Sequence, residues 1–144
     1  MRLILCATMV EHVADADPFK KWMGRWLEVV DADALPYGSR WEFCVPEFRL
    51  MCSAIMSDIQ TAEGSGATAL KEIRRIESGE VSYIESDGNA WVAFITPDKV
   101  WFEGLYSQGE GGEVSFAQYK LAVQTYVRFL ADPEQKPIEV DFPA

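Results

Sequence analysis

The residues in this chain best suited to chemistry are one histidine, three cysteines, a glycine-rich run and a scatter of carboxylates. His12 is the sole histidine, so a zinc site with several His ligands is excluded, and no pair among Cys6, Cys44 and Cys52 has zinc-ligand spacing. A Cys–His nucleophile would need His12 beside one of those thiols; an exposed or internally satisfied histidine at a strand end is the simpler reading. Gly109-Glu110-Gly111-Gly112-Glu113 precedes a helix, the layout of a phosphate cradle. No Lys closes that motif and its two glutamates repel phosphate, so a mobile loop is expected there. Asp15 with Asp17, and Asp31 with Asp33, offer paired carboxylates for acid–base work or Ca²⁺, but 23 acidic residues guarantee such pairs by chance and no EF-hand spacing occurs. The expectation is a protein without enzymatic activity, metal or cofactor.

A different constellation lies between residues 81 and 113. Trp91, Ala93 and Ile95 alternate with Val92 and Phe94, and Val100 and Phe102 alternate with Trp101, Glu103 and Leu105. Both faces of such strands carry apolar bulk, whereas a sheet covered by helices on one face should show polar residues on the other. Glu85, Asp87 and Glu103 are interleaved with the rings, and Glu110 and Glu113 continue the acidic series beside Tyr106. The region reads as a partner surface with aromatic anchors and a carboxylate rim; a sheet covered on both sides is the alternative. The expected contact residues are Glu85, Asp87, Trp91, Trp101, Glu103, Tyr106, Glu110 and Glu113.

The elements that must position these residues are partly legible. A strand over 81–86 runs into the hairpin signal Asp87-Gly88-Asn89, 90–96 returns, Pro97-Asp98 turns the chain, and 99–106 completes an antiparallel meander. The clearest helix spans 115–131: Ser115 and Gln118 form an S-x-x-Q capping box, Phe116, Tyr119, Val123, Tyr126, Val127 and Leu130 make one apolar face, and Asp132-Pro133 stop it. A shorter helix over 67–77 turns Leu70, Ile73 and Ile76 inward and Lys71, Glu72, Arg74 and Arg75 outward, with Gly79 as terminator. The opening apolar run, closed by Glu11 and His12 without a cleavage site, reads as a first strand and not as a signal peptide. Residues 40–45 alternate like a strand, and Ile138, Val140 and Phe142 alternate with Glu139 and Asp141 as a last short edge strand. Two stretches stay open. Residues 17–30 fit a helix, or from 25 a strand paired with 40–45 through a turn near Pro36-Tyr37-Gly38; residues 47–60 fit a helix or an extended segment. The expected fold is α+β, one domain over 1–144, with an antiparallel sheet of about five strands and two or three helices, the 115–131 helix across one face.

The 144 residues are 49% hydrophobic and include 5 Trp, 5 Tyr and 8 Phe, enough bulk for one core and unlike a disordered chain, collagen or a coiled coil. Thirteen Lys and Arg face 23 Asp and Glu, a net charge of −10. Such a field repels phosphate backbones and anionic membrane surfaces, so neither nucleic acid nor membrane is an expected partner; it attracts basic proteins. No stretch approaches the roughly 20 apolar residues that cross a bilayer. Three cysteines without a CxxC cannot all pair within one chain and read as reduced, mostly buried thiols of a cytoplasmic protein.

The run Glu85-Ser86-Asp87-Gly88-Asn89-Ala90-Trp91, then Val100-Trp101-Phe102-Glu103-Gly104-Leu105-Tyr106, then Gly111-Gly112-Glu113-Val114-Ser115 opening a helix that ends in Tyr126-Val127-Arg128-Phe129-Leu130, resembles small bacterial immunity proteins. Trp22-Met23-Gly24-Arg25-Trp26 and Trp41-Glu42-Phe43 are in keeping with it. These are the cognate inhibitors encoded beside polymorphic toxins, contact-dependent growth-inhibition systems among them. The resemblance implies a cytoplasmic protein that binds one toxin domain tightly and has no activity of its own.

The charge agrees with that implication, since a toxin that cuts nucleic acid must be basic and an acidic inhibitor mimics its substrate's field. Two rivals remain: an adaptor or small-molecule-binding module whose aromatics line a pocket, and a hydrolase using carboxylates in an unfamiliar arrangement.

Overall fold

The structure, a computed structural model, describes residues 2–14, 16–33 and 44–144, with the side chains of 12–14 and 18 outside that description. Its elements in chain order are β1 (Leu3–Ala14), β2 (Asp17–Asp31), α1 (Arg49–Asp58), α2 (Ala67–Glu77), β3 (Ile84–Asp87), β4 (Trp91–Ile95), β5 (Lys99–Gly104), β6 (Glu110–Ser115), α3 (Phe116–Ala131) and β7 (Ile138–Phe142). A 3₁₀ turn, Pro46–Phe48, leads into α1, and a turn of π-helix, Ala62–Gly66, leads into α2. The class is α+β as expected. The strands, however, form two antiparallel sheets, β2-β1-β7 and β3-β4-β5-β6, and not a single sheet of about five.

Two segments account for the difference. Residues 17–31 are a strand, not a helix, paired with β1 continuously from Lys21 to Asp31 and again at Asp17 after a register shift. The spacing of Trp22, Trp26 and Val30 misleads because a step of four keeps a residue on the same face in a strand as well as in a helix. Leu27 and Val29, opposite Ala7 and Leu5, are fully buried on the inner face. Most of the 40–45 strand lies outside the described residues; at its end the Val45 amide donates to the Val29 carbonyl at 2.8 Å. The second segment is the glycine run, which is not a loop but strand β6, paired with β5.

Residues 47–60 resolve as helix α1, which buries Met51, Cys52, Ala54 and Ile55 and touches both β2 of the first sheet and β4, β5 and β6 of the second. One buried cluster therefore runs through both sheets, with Leu5, Leu27, Met51, Ile73, Ile95, Phe102, Tyr126 and Phe129 among its largest members. The capping box of α3 is present on both sides: the Gln118 amide donates to Ser115 Oγ at 3.0 Å, and the Ser115 amide to Gln118 Oε1 at 2.8 Å. Gln118 Nε2 also donates to the Pro143 carbonyl at 2.8 Å, which ties the chain after β7 to the start of α3. β7 is an edge strand as expected, pairing with residues 3–7.

Helix α2 occupies the expected residues and turns Ile73 and Ile76 into the core, with Leu70 packed against it, as expected. Its buried positions are Ala69, Ile73 and Ile76, and Glu72 shares their stripe, half-buried instead of outward. Among the described residues no helix is long and apolar enough to cross a membrane.

Candidate interaction surface

Register sorts the second sheet into two chemically different faces. Trp91, Ile95, Val100, Phe102 and Val114 are buried on the side facing α1 and α3. On the opposite side two rows cross the strands: Glu85, Phe94 and Trp101 stand in one, and Asp87, Val92, Glu103 and Glu110 in the next. Phe94 and Trp101 stack, with ring centroids 5.5 Å apart and planes at 11°. Lys99 Nζ lies 5.4 Å from the Trp101 ring centroid and 3.0 Å from Glu113 Oε1. Tyr83 donates its hydroxyl hydrogen to Glu85 Oε1 at 2.7 Å.

Seven of the eight expected contact residues are accessible here; Trp91 is the exception. It pairs with Gly104 on the inner face and is only 5% exposed. Phe94, not Trp91, stands opposite Trp101, and an odd step along β4 separates the two aromatic residues, which turns them to opposite faces. Phe94 thus stands on the outer face where the sequence reading placed Trp91. Tyr106 lies in the turn between β5 and β6 and is 74% exposed, with Leu105 beside it also exposed. Glu113 carries its charge in partnership with Lys99.

Glu110 reaches the outer face through a bulge. Val100 pairs with Val114, but Phe102 pairs with Gly111, so β6 holds one residue more than β5 in that interval. The extra residue reverses the alternation: Val114 points into the core, and Glu110, an even step away, points outward opposite Glu103. Gly111 and Gly112 supply the positive φ values of 101° and 60° that the bulge requires. A Cβ on Gly112 would also lie 2.5 Å from Leu50 Cβ, so helix α1 seats directly on the bulge.

Among the described residues, Glu85, Asp87, Glu103 and Glu110 form no ion pair. Glu103 and Glu110 are directly opposite each other, an arrangement of like charges that weakens a sheet. Other expected carboxylate pairs serve turns: Asp17 Oδ1 accepts the Phe19 amide at 3.0 Å, and Asp31 Oδ1 the Asp33 amide at 2.9 Å. The side chains of His12 and Asp15 lie outside the described residues. Among those described, no three His, Cys, Asp or Glu side chains converge as metal ligands would. Phe19, Trp22 and Met23 are also exposed along the β1–β2 ribbon, the consecutive pair Trp22 and Met23 on opposite faces.

Comparison of the chain with protein-family models, with curated proteins and with solved structures gave no match.

Proposed function

We propose that this chain is an immunity protein that neutralises a cognate toxin domain in the cytoplasm by direct contact, using the outer face of the β3–β6 sheet and no cofactor. The observation that carries the reading is the Glu103–Glu110 pair set beside the stacked Phe94 and Trp101. A sheet gains nothing for its own stability from two carboxylates facing each other. A basic partner does gain, because unneutralised charge of one sign steers encounter and selects for the opposite sign. Half-buried rings flanking that charge supply the desolvated anchors from which affinity comes. Glu85 and Asp87 extend the acidic face across β3, and Tyr106 is exposed in the β5–β6 turn.

The pocket-binding rival has less support on this face. Phe94 and Trp101 border an open depression shared with Glu103 and Glu110, and do not enclose a ligand-sized chamber.

The test is co-expression with the terminal domain of any candidate toxin encoded beside its gene. Relief of growth arrest, together with a one-to-one complex on size exclusion, is the expected result. Continued arrest and separate elution of the two proteins would overturn the reading.

A further inference from the structure

The β1–β2 ribbon runs on past the third strand of its sheet. β7 pairs only with residues 3–7 of β1, while β2 follows β1 to its end. The Ala32 amide donates to the Arg2 carbonyl at 2.8 Å, and these two residues continue the register of the β1–β2 pair. In an antiparallel ladder the residues of a strand bond alternately to its two sides. The even-numbered residues of β1 therefore bond to β2, and the odd-numbered ones turn their N–H and C=O to the β7 side. Beyond Ala7 these are Met9, Glu11 and Val13.

Among the described residues, no backbone group pairs with them on that side. Continuation of β7 would bring Lys136 opposite Met9, but the Lys136 amide donates to Asp132 Oδ2 at 3.0 Å, and Pro137 beside it has no N–H. The Met9 carbonyl accepts the Thr8 hydroxyl at a long 3.4 Å. The turn after α3 thus ends β7 early and leaves a strand edge open. We propose that a second copy of this chain pairs with that edge, antiparallel, about a two-fold axis within residues 9–13 of β1.

An open edge is a template for another strand, and charge and symmetry select which one. Residues 8–25 hold Glu11, Asp15 and Asp17 against Lys20, Lys21 and Arg25, a balance of zero, so the rest of the chain carries the whole net charge of −10. A cationic partner is drawn to that remainder, whereas a like-charged copy approaches most easily where the field is neutral. Identical strands laid antiparallel, odd-numbered residues against odd-numbered, satisfy one another, because each presents the same alternation of donors and acceptors. Glu11 is the one acid at the three outward positions, and Lys21 Nζ, 3.8 Å from its carboxylate, offsets the approach of its copy.

The ribbon also has the most to gain. Beyond Ala7 the described part of its sheet has two strands, an arrangement that is marginal in water, and pairing of two copies makes four. Phe19, Trp22 and Met23, three of the six large hydrophobic side chains exposed among the described residues, stand on β2, one strand in from the open edge. None of these residues belongs to the β3–β6 sheet, so the inference holds whether or not that face binds a toxin.

The experiment is sedimentation equilibrium of the full chain alone, from low micromolar to near-millimolar concentration. A mass rising from the 16.2 kDa of one chain to twice that value is expected. Glu11→Pro removes an amide that has no partner within the chain, a substitution that edge strands tolerate, and it should weaken the dimer by about tenfold or more. Glu11→Ala loses the same side chain but keeps the amide, and it should associate like the wild type. A single-chain mass at every concentration, a dimer unaffected by Glu11→Pro, or equal loss in Glu11→Ala would overturn the proposal. If Glu11→Pro does not fold, hydrogen exchange of the wild type decides. The Met9, Glu11 and Val13 amides should exchange fast in dilute solution and about tenfold or more slowly when concentrated, while Val10 and His12, bonded to β2, stay slow throughout. Exchange at Met9, Glu11 and Val13 that ignores concentration would refute the pairing.

Discussion

Glu103 and Glu110 face each other across β5 and β6 on the outer side of the four-stranded sheet, brought into register by the Gly111–Gly112 bulge. Like charges in a directly opposed pair cost a sheet roughly a few tenths of a kcal/mol. Glu110→Lys replaces that repulsion with an attractive pair, so the variant should melt slightly higher than the wild type. Its association with a basic toxin domain should slow at the same time. A rise in stability with undiminished association would separate the pair from binding.

Gly88 lies against Asp58 so closely that a Cβ there would stand 2.1 Å from Asp58 Cγ. Asp58 cannot swing aside freely, because it holds the Ala90 amide at the β3–β4 turn. Gly88→Ala should therefore destabilise the fold by about 1–3 kcal/mol, as overpacking does. The urea midpoint checks this, and an unchanged midpoint would contradict the close approach.

Burial first of all raises the carboxyl pKa values of Asp58 and Glu72. A raised acid binds more protons folded than unfolded, so its contribution favours the fold below the unfolded pKa and declines as pH rises through the folded one. Asp132 has the opposite sign: the amides of Glu134 and Lys136 hold its carboxyl down, and its contribution is lost as pH falls. The comparison of wild type with Glu72→Gln isolates one group. Through the window just above the usual carboxylate range, the variant should lose less stability with rising pH than the wild type; parallel curves would contradict the shift.

The three thiols should be inert in the native protein. Burial, reinforced by Glu139 and Glu28, pushes Cys6 up to about 12. Cys52 is pushed well up by its hydrogen bond with Cys44 and by burial, while the same hydrogen bond lowers Cys44, whose protection is therefore its burial alone; both residues are sealed from solvent. A thiolate-specific chromogenic reagent at neutral pH should titrate almost no thiol before denaturant and all three after it. Rapid native reaction of a full equivalent would contradict this packing.

Local signals carried the sequence reading furthest. Ser115 and Gln118 announced α3 because a capping box is a contact between near neighbours, and Ile138, Val140 and Phe142 announced β7 because alternation needs no partner to be seen. Tertiary choices were hidden. Trp22 and Trp26 fit helix and strand alike, and only pairing with β1 decides between them. The face taken by Trp91 depends on its register with β5, which no turn residue specifies uniquely. Glu110 looked like loop because two glycines normally break strands; here they make the bulge. Glu72, expected outward with Lys71, Arg74 and Arg75, was misplaced, although it lies on one helical stripe with Ala69, Ile73 and Ile76.

The most direct measurement is the association rate, against ionic strength, between the toxin domain that co-expression identifies and two double variants of equal net charge. Glu103→Lys with Glu110→Lys alters the outer face, and Glu63→Lys with Glu134→Lys alters exposed sites away from it. The first should associate about tenfold or more slowly at low salt, with a flattened salt dependence, while the second stays close to wild type. Equal slowing by both variants, or none by the first, would contradict binding through this face.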